Sequence, residues 1–569
     1  MDSQSLRDQA KEKARRFLEL NSEYRMGYLE AERPHPRTVR LSQTYENSVE
    51  DGVRMLLSVD AEMAERAAAT LASEGYADFA DRIRKTVLGG GRVIFSGCGS
   101  SGRLSMRLEQ SFRHAIDALA EAYPEKRACL LSKKEAVGNI MTGGDYAVIR
   151  AVESFEDSAS LGREQVRELG LSHGDLLVGV TATGETTSIL GTAVQALKNG
   201  ADVYMLICAD HRPLVEKMAR AREVYLHPSC RVLTLPCGSM ALTGSSRMQS
   251  STFEQLCGAV ALEGALCDLL CECGVDVSYP DYATFGTAFL EMTHQLMGEK
   301  AVALLANATR DEQRVYEAGG LMTLFADEYM LDVLTDTTER APTFMTPPFC
   351  SSDMVGKEPS WAFAKNPACD TKTAWTRCFL RRPNCLEWDK ATYARLGFTP
   401  EQISRIFDIG VEALERFMIG NEPMPERENV PCSHAMWVGA DRAPEEFFTS
   451  AARYASHSEL TLEMVGVTLM KTHMDIFEHL SMKLMLNTLS TGVMARMGRI
   501  TGNWMTCLAM SNKKLIDRSA RIVTDVCGVS YEQALEENYY SQLLLEAEGR
   551  NGSPAQETIA RLKHDKKGE

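Results

Sequence analysis

The chain of 569 residues carries a formal net charge of −16, with 44% apolar and 25% charged residues. That is the composition of a globular chain long enough for more than one domain. The acidic balance excludes a general nucleic-acid binder, whose affinity rests on basic surface. No apolar run reaches the ~18 residues of a membrane-spanning candidate. The start, Met1-Asp2-Ser3-Gln4-Ser5-Leu6-Arg7-Asp8, lacks the apolar centre of a secretory leader. A cytoplasmic protein with no membrane and no nucleic-acid partner is therefore expected.

In chain order, residues 1–45 are polar, with a proline-containing turn at Arg33-Pro34-His35-Pro36, and an amphipathic stretch with Val53, Leu56, Leu57, Val59 and Met63 follows. An apolar run, Val93-Ile94-Phe95, then leads into Gly97-Cys98-Gly99-Ser100-Ser101-Gly102-Arg103 and a segment that reads as a helix. A glycine-rich strand-to-helix turn lets backbone N–H groups approach an anion, and the helix N-terminus adds partial positive charge. The turn has neither the Lys of a P-loop nor the GxGxxG spacing of a dinucleotide site. It suits a sugar phosphate better than a nucleotide, and no cofactor is expected.

Strand-like runs at 175–180, 201–207 and 231–235 alternate with helical patterns, which predicts a parallel sheet wrapped by helices. Ligands of such sheets bind at the carboxyl ends of strands. Two loops stand there, the glycine turn and Thr181-Ala182-Thr183-Gly184-Glu185-Thr186-Thr187. A faint repeat follows. Residues 317–326 echo residues 87–96, but the second copy continues Asp327-Glu328-Tyr329, whose carboxylates would repel a phosphate.

Three further segments carry candidate chemistry. Glu153 and Glu156, after Gly143-Gly144-Asp145, are spaced to share a helix face and to read sugar hydroxyls or act as a base. Leu242-Thr243-Gly244-Ser245-Ser246-Arg247-Met248 would open a helix as a second anion site. Lys514 and Arg518, four residues apart, would point at one phosphate. Residues 484–497 and 503–526 read as two helices. The sixteen cysteines read as reduced thiols. The densest group, Cys257, Cys267, Cys271 and Cys273, has no Cys-x-x-Cys pair or nearby His cluster to complete a metal site, so buried structural thiols and no metal are expected. His473 and His479 read as packing or surface residues.

These motifs, in this order and together with Leu489-Ser490-Thr491-Gly492-Val493-Met494-Ala495-Arg496-Met497-Gly498-Arg499-Ile500-Thr501-Gly502-Asn503, resemble the sugar isomerase (SIS) group containing N-acetylmuramic acid 6-phosphate etherases and glucokinase regulatory proteins. The resemblance covers roughly residues 40–262 and 484–530. It implies an α/β fold of two flavodoxin-like SIS domains, each a parallel-sheet three-layer αβα sandwich, with an α-helical C-terminal lid. The implied division is a helical arm at 1–60, a first SIS domain at 61–274, a degenerate second at 275–483 and the lid at 484–569.

The resemblance assigns the phosphate to Gly99, Ser100, Ser101 and Thr183, with Thr181 in the same second sugar-phosphate loop and Ser245 and Ser246 close by as further ligand-binding residues. It assigns sugar hydroxyls to Glu153 and Glu156, and closure to Lys514 and Arg518. The etherases use two glutamates. Glu156 matches one, but Ser111 stands at the other, with Glu109 displaced about 200° around the helix. Gln249 and Gln255 stand where the group commonly has Lys. The layout favours a non-catalytic sugar-phosphate sensor with a sugar kinase as candidate partner. The alternative is an etherase that releases lactate from a phosphorylated amino sugar, with Glu156 catalytic.

Overall fold

The computed structural model describes residues 3–21, 25, 27–152, 154–354 and 356–568. Helix α1 (Val49–Leu71) leads into the first lobe, where Ser48 caps it by accepting from the Asp51 amide. The lobe's sheet has five parallel strands in the order β2-β1-β3-β4-β5: β1 Val93–Gly97, β2 Val137–Met141, β3 Leu176–Thr181, β4 Asp202–Ile207 and β5 Cys230–Thr234. Every residue of β1 and β3 is buried, as a central parallel strand covered on both faces requires. Helices α2 (Gly99–Ala122) and α3 (Thr187–Lys198) follow β1 and β3, and α4 (Gln249–Glu272) closes the lobe.

The second lobe has four parallel strands in the order β7-β6-β8-β9: β6 Met322–Phe325, β7 Ala362–Lys365, β8 His434–Gly439 and β9 Ser456–Thr461. This repeats the first sheet without its last strand. The echo in the sequence is therefore structural, since β6 holds the place of β1, and α5 (Met330–Phe344) follows it as α2 follows β1.

Between the lobes runs α6 (Ile476–Arg496), buried along nearly its whole length. A short hairpin, Ile500–Thr501 with Trp504–Met505, leads to α7 (Lys513–Cys527), α8 (Tyr531–Glu548) and a last helix, Pro554–Gly568. The expected boundaries at 60/61 and 483/484 fall inside α1 and α6. The N-terminal helix Ser3–Leu20 packs Leu6, Ala10, Ala14 and Phe17 against Leu535, Tyr539 and Leu543 of α8, so the two ends of the chain form one helical unit.

One expectation is corrected. Cys129 and Cys273 form a disulfide across 144 residues of chain, because the helix Arg127–Ser132 lies beside the end of α4. Cys257 and Cys267 are buried free thiols, whereas Cys271 is free and exposed. Among the described residues no helix is long and apolar enough to cross a membrane.

Candidate functional site

Strand order reverses between β1 and β3, and the two loops picked out by sequence leave these strands side by side. The glycines of the first are required by close approach. A Cβ on Gly97 would sit 2.3 Å from the Ser101 carbonyl oxygen, and one on Gly102 would sit 2.0 Å from Met141 Sδ. Gly99 adopts φ +56°, in the region open to glycine. The turn thus tucks under its own helix and presents the first amides of α2.

The hydroxyls are not all aimed alike. Ser100 Oγ shares a 2.8 Å hydrogen bond with Ser246 Oγ, joining the first turn to the third motif. Ser101 Oγ donates to Glu254 Oε2 at 3.2 Å, toward α4. Burial pushes the Glu254 carboxyl well above the usual carboxylate range. Thr181 Oγ1 bonds Thr186 Oγ1 at 3.0 Å, and Thr183 Oγ1 donates to Glu185 Oε1 at 3.4 Å, so both threonines brace their own loop. Glu185 pairs with Arg220 at 3.3 Å, which offsets its negative charge in this loop.

Glu156 does not lie on a helix. Residues 154–157 form a turn entered through Ser154 at φ +70°, and the Glu156 carbonyl accepts from the Ser188 amide at 3.0 Å. The loop is thereby fastened to the start of α3, with the Glu156 side chain half-buried. Burial raises its carboxyl above the ordinary range, Lys514 and Arg518 oppose this, and Glu185 and Asp157 reinforce it. The expected partner Glu153 lies outside the described residues.

Ser245 and Ser246 precede α4 by several residues rather than opening it, since α4 starts at Gln249. Gly244, at φ +74°, leaves room for the lid, because a Cβ there would meet Arg518 Nε at 2.5 Å. The lid helix also starts later than expected, capped by Asn512, which accepts from the Leu515 amide. Lys514 lies in its first turn. Arg518 donates to Glu32 at 2.7 and 3.3 Å, Arg521 donates to the same carboxylate at 2.8 Å, and Lys514 Nζ stands 3.9 Å away. Burial alone would raise Glu32, but these three cations outweigh it and hold its carboxyl at about 2.

Sequence reasoning missed Glu32, because 486 residues separate it from Arg518. It also missed Glu339 on α5 of the second lobe. Glu339 ion-pairs with Arg103, whose guanidinium also donates to the Val148 carbonyl at 2.8 Å. Arg103 thus ties the turn to the second lobe and to the segment leading to Glu156.

Glu109 is enclosed by cations and an amide. It accepts from Arg113 at 2.9 Å, from Arg381 at 2.9 and 3.1 Å, and from Asn139. Gln249 accepts from the Ala241 amide and donates to Asp60, both at 2.8 Å. An amine arrives instead from α6, where Lys483 Nζ donates to Thr252 Oγ1 at 2.7 Å and to the Arg247 carbonyl at 2.8 Å, and burial lowers its pKa to about 7. It lines one small cavity with Ser100 and Gln255.

Residues 77–197 match the family described as the glucokinase regulatory protein N-terminal SIS domain. An N-acetylmuramic acid 6-phosphate etherase of Aliivibrio fischeri (strain MJ11) is 33% identical over 190 residues, which is 33% of this chain and 55% of that protein. The protein of the same name from Synechococcus sp. (strain CC9902) is 31% identical over 228 residues, 40% of this chain and 62% of that one. The chain therefore spans little more than half the length of these curated relatives. Among solved structures, the C-terminal domain of glucosamine-fructose-6-phosphate aminotransferase from Francisella tularensis aligns with 78% of this chain and 94% of its own, at 10% identity and TM-score 0.42. The first lobe carries a SIS domain, and the chain is related to proteins named for phosphorylated sugars. The names of the curated relatives lie nearer the etherase alternative than the regulator reading.

Proposed function

We propose that the crevice under the lid of the first lobe binds a phosphorylated sugar and that the chain works as a ligand-responsive binding protein without turnover. The observation that carries this is the convergence of four segments. The first turn of α2 and the Ser246 hydroxyl face the same place, Arg518 covers Gly244, and Lys514 acts on Glu156. A phosphate would take the α2 amides and the two lid cations. Glu156 would accept hydrogen bonds from ring hydroxyls. The lid is anchored to the N-terminal arm through Glu32, so a ligand that binds its closed and open positions unequally shifts their populations. A sugar kinase is the partner class that goes with this reading.

The second reading, an etherase, is favoured by the names of the curated relatives. In that reading Glu156 is the base. Glu339, rather than Ser111 or Glu109, is the second carboxylate near the turn, because α5 brings it to Arg103.

The deciding experiment is to titrate hexose and amino-sugar phosphates by calorimetry while assaying lactate release from N-acetylmuramic acid 6-phosphate. Binding without lactate supports the first reading. Lactate release that disappears in both Glu156→Ala and Glu339→Gln would replace it with the second.

A further inference from the structure

On the far side of α4 from the crevice, three metal-ligand side chains converge. Glu263 and Cys267 are four residues apart on α4 and share one face. His473, from the segment entering α6, reaches that face. Its Nδ1 stands 2.7 Å from Glu263 Oε1 and 3.9 Å from Cys267 Sγ, and the three ligand atoms all lie within 4.8 Å of one another. A tetrahedral zinc ion would place sulfur and nitrogen about 3.6 Å apart, and nitrogen and oxygen about 3.4 Å apart, given the usual bond lengths. The triad is close to that spacing already, and the His473 Nδ1–Glu263 Oε1 contact, at 2.7 Å, is the one that has to open.

Two further features fit a cation. A cavity of about 280 Å³, lined by Glu263, His473, Tyr279, Phe285, Met470 and Lys471, opens beside the triad and leaves room for a water ligand and an entry path. The one ammonium at its rim, Lys471, is paired with Glu478 at 2.7 Å. Glu263 also accepts from the backbone amides of His473 and Met474, at 2.8 and 3.1 Å, which fixes its carboxylate against the segment that carries the histidine.

We infer that Glu263, Cys267 and His473 form a site for a divalent transition metal of the zinc class, with water as fourth ligand. Thiolate, imidazole and carboxylate together select such an ion over magnesium or calcium. On binding, the Cys267 thiol proton leaves to solvent as the sulfur–metal bond forms. The ion would clip the last helix of the first lobe to the chain entering α6.

The test uses the full-length, metal-stripped protein with its Cys129–Cys273 disulfide intact and Cys267 as the free thiol, titrated with Co²⁺ and then Zn²⁺. The expected result is one Co²⁺ per chain with a thiolate-to-cobalt charge-transfer band, displaced by Zn²⁺, and a melting temperature raised by Zn²⁺. Cys267→Ala should lose the band, and His473→Gln, which keeps a hydrogen-bond donor toward Glu263, should bind at least tenfold more weakly. Absence of the band in the wild type, or a band that persists in Cys267→Ala, would overturn the assignment. Equal affinity in His473→Gln would overturn it as well.

Discussion

The turn between β1 and α2 and the turn between β6 and α5 occupy equivalent places in two sheets of equivalent strand order. The first is Gly97-Cys98-Gly99-Ser100-Ser101, uncharged and folded tightly under its helix. The second is Phe325-Ala326-Asp327-Glu328-Tyr329, without a glycine. Asp327 accepts from Asn366 at 2.7 Å and pairs with Arg377 at 3.3 Å, while Glu328 is exposed. Strand order is preserved by buried apolar contacts spread over whole elements. Anion binding, on the function proposed, would depend on a few backbone amides and on the sign of the nearest charges, so one lobe could lose it with its sheet intact.

That contrast can be broken most strongly at Gly97. Gly97→Ala forces a Cβ against backbone and should reshape the turn, abolishing sugar-phosphate binding by calorimetry. Next come the lid cations. Lys514→Ala should weaken binding by about 10–100-fold, the loss of a charge-assisted hydrogen bond. Arg518→Ala should do the same and also lower stability by about 3 kcal/mol, since it deprives buried Glu32 of a partner.

The Glu32 cluster gives a pH signature. Its folded carboxyl is depressed from an ordinary 4.5 to about 2. Its contribution, on the order of 3 kcal/mol, is therefore complete above the unfolded value and is lost as pH falls from about 4.5 to about 2. Denaturant melts of wild type and Glu32→Gln should differ at neutral pH and converge over that window; a constant gap would break the assignment. The smallest effect belongs to the second lobe, where Asp327→Asn should change first-lobe affinity less than about twofold, within the range of remote surface substitutions. A large change there would mean that the two turns are coupled.

Much of this was legible in the chain. The glycine turn was legible because steric demand leaves a local signature, since Gly97 and Gly102 have to be glycine. Lys514 and Arg518 do share a helix face, but the carboxylate they face in the structure is that of Glu32. The direction of individual hydroxyls was not legible. Ser101 and Thr183 looked like phosphate donors, yet they bond Glu254 and Glu185, because neighbouring acceptors decide where a hydroxyl turns. The helix expected through Glu153 and Glu156 gave way to a turn at Glu156 held by the Ser188 amide, a tertiary contact that outweighs a short charged pattern.

The sequence by itself determined the parallel α/β class, the repeat, the glycine-rich first turn and the carboxylates of its counterpart. These depend on periodicity, glycine sterics and local charge. Only the tertiary structure decided that Glu32 organises the lid, that Glu339 arrives from the other lobe, that Glu109 is sealed by Arg113 and Arg381, and that His473 stands against Cys267. Each of these joins residues distant in the chain, and their meeting follows from how the lobes and helices pack.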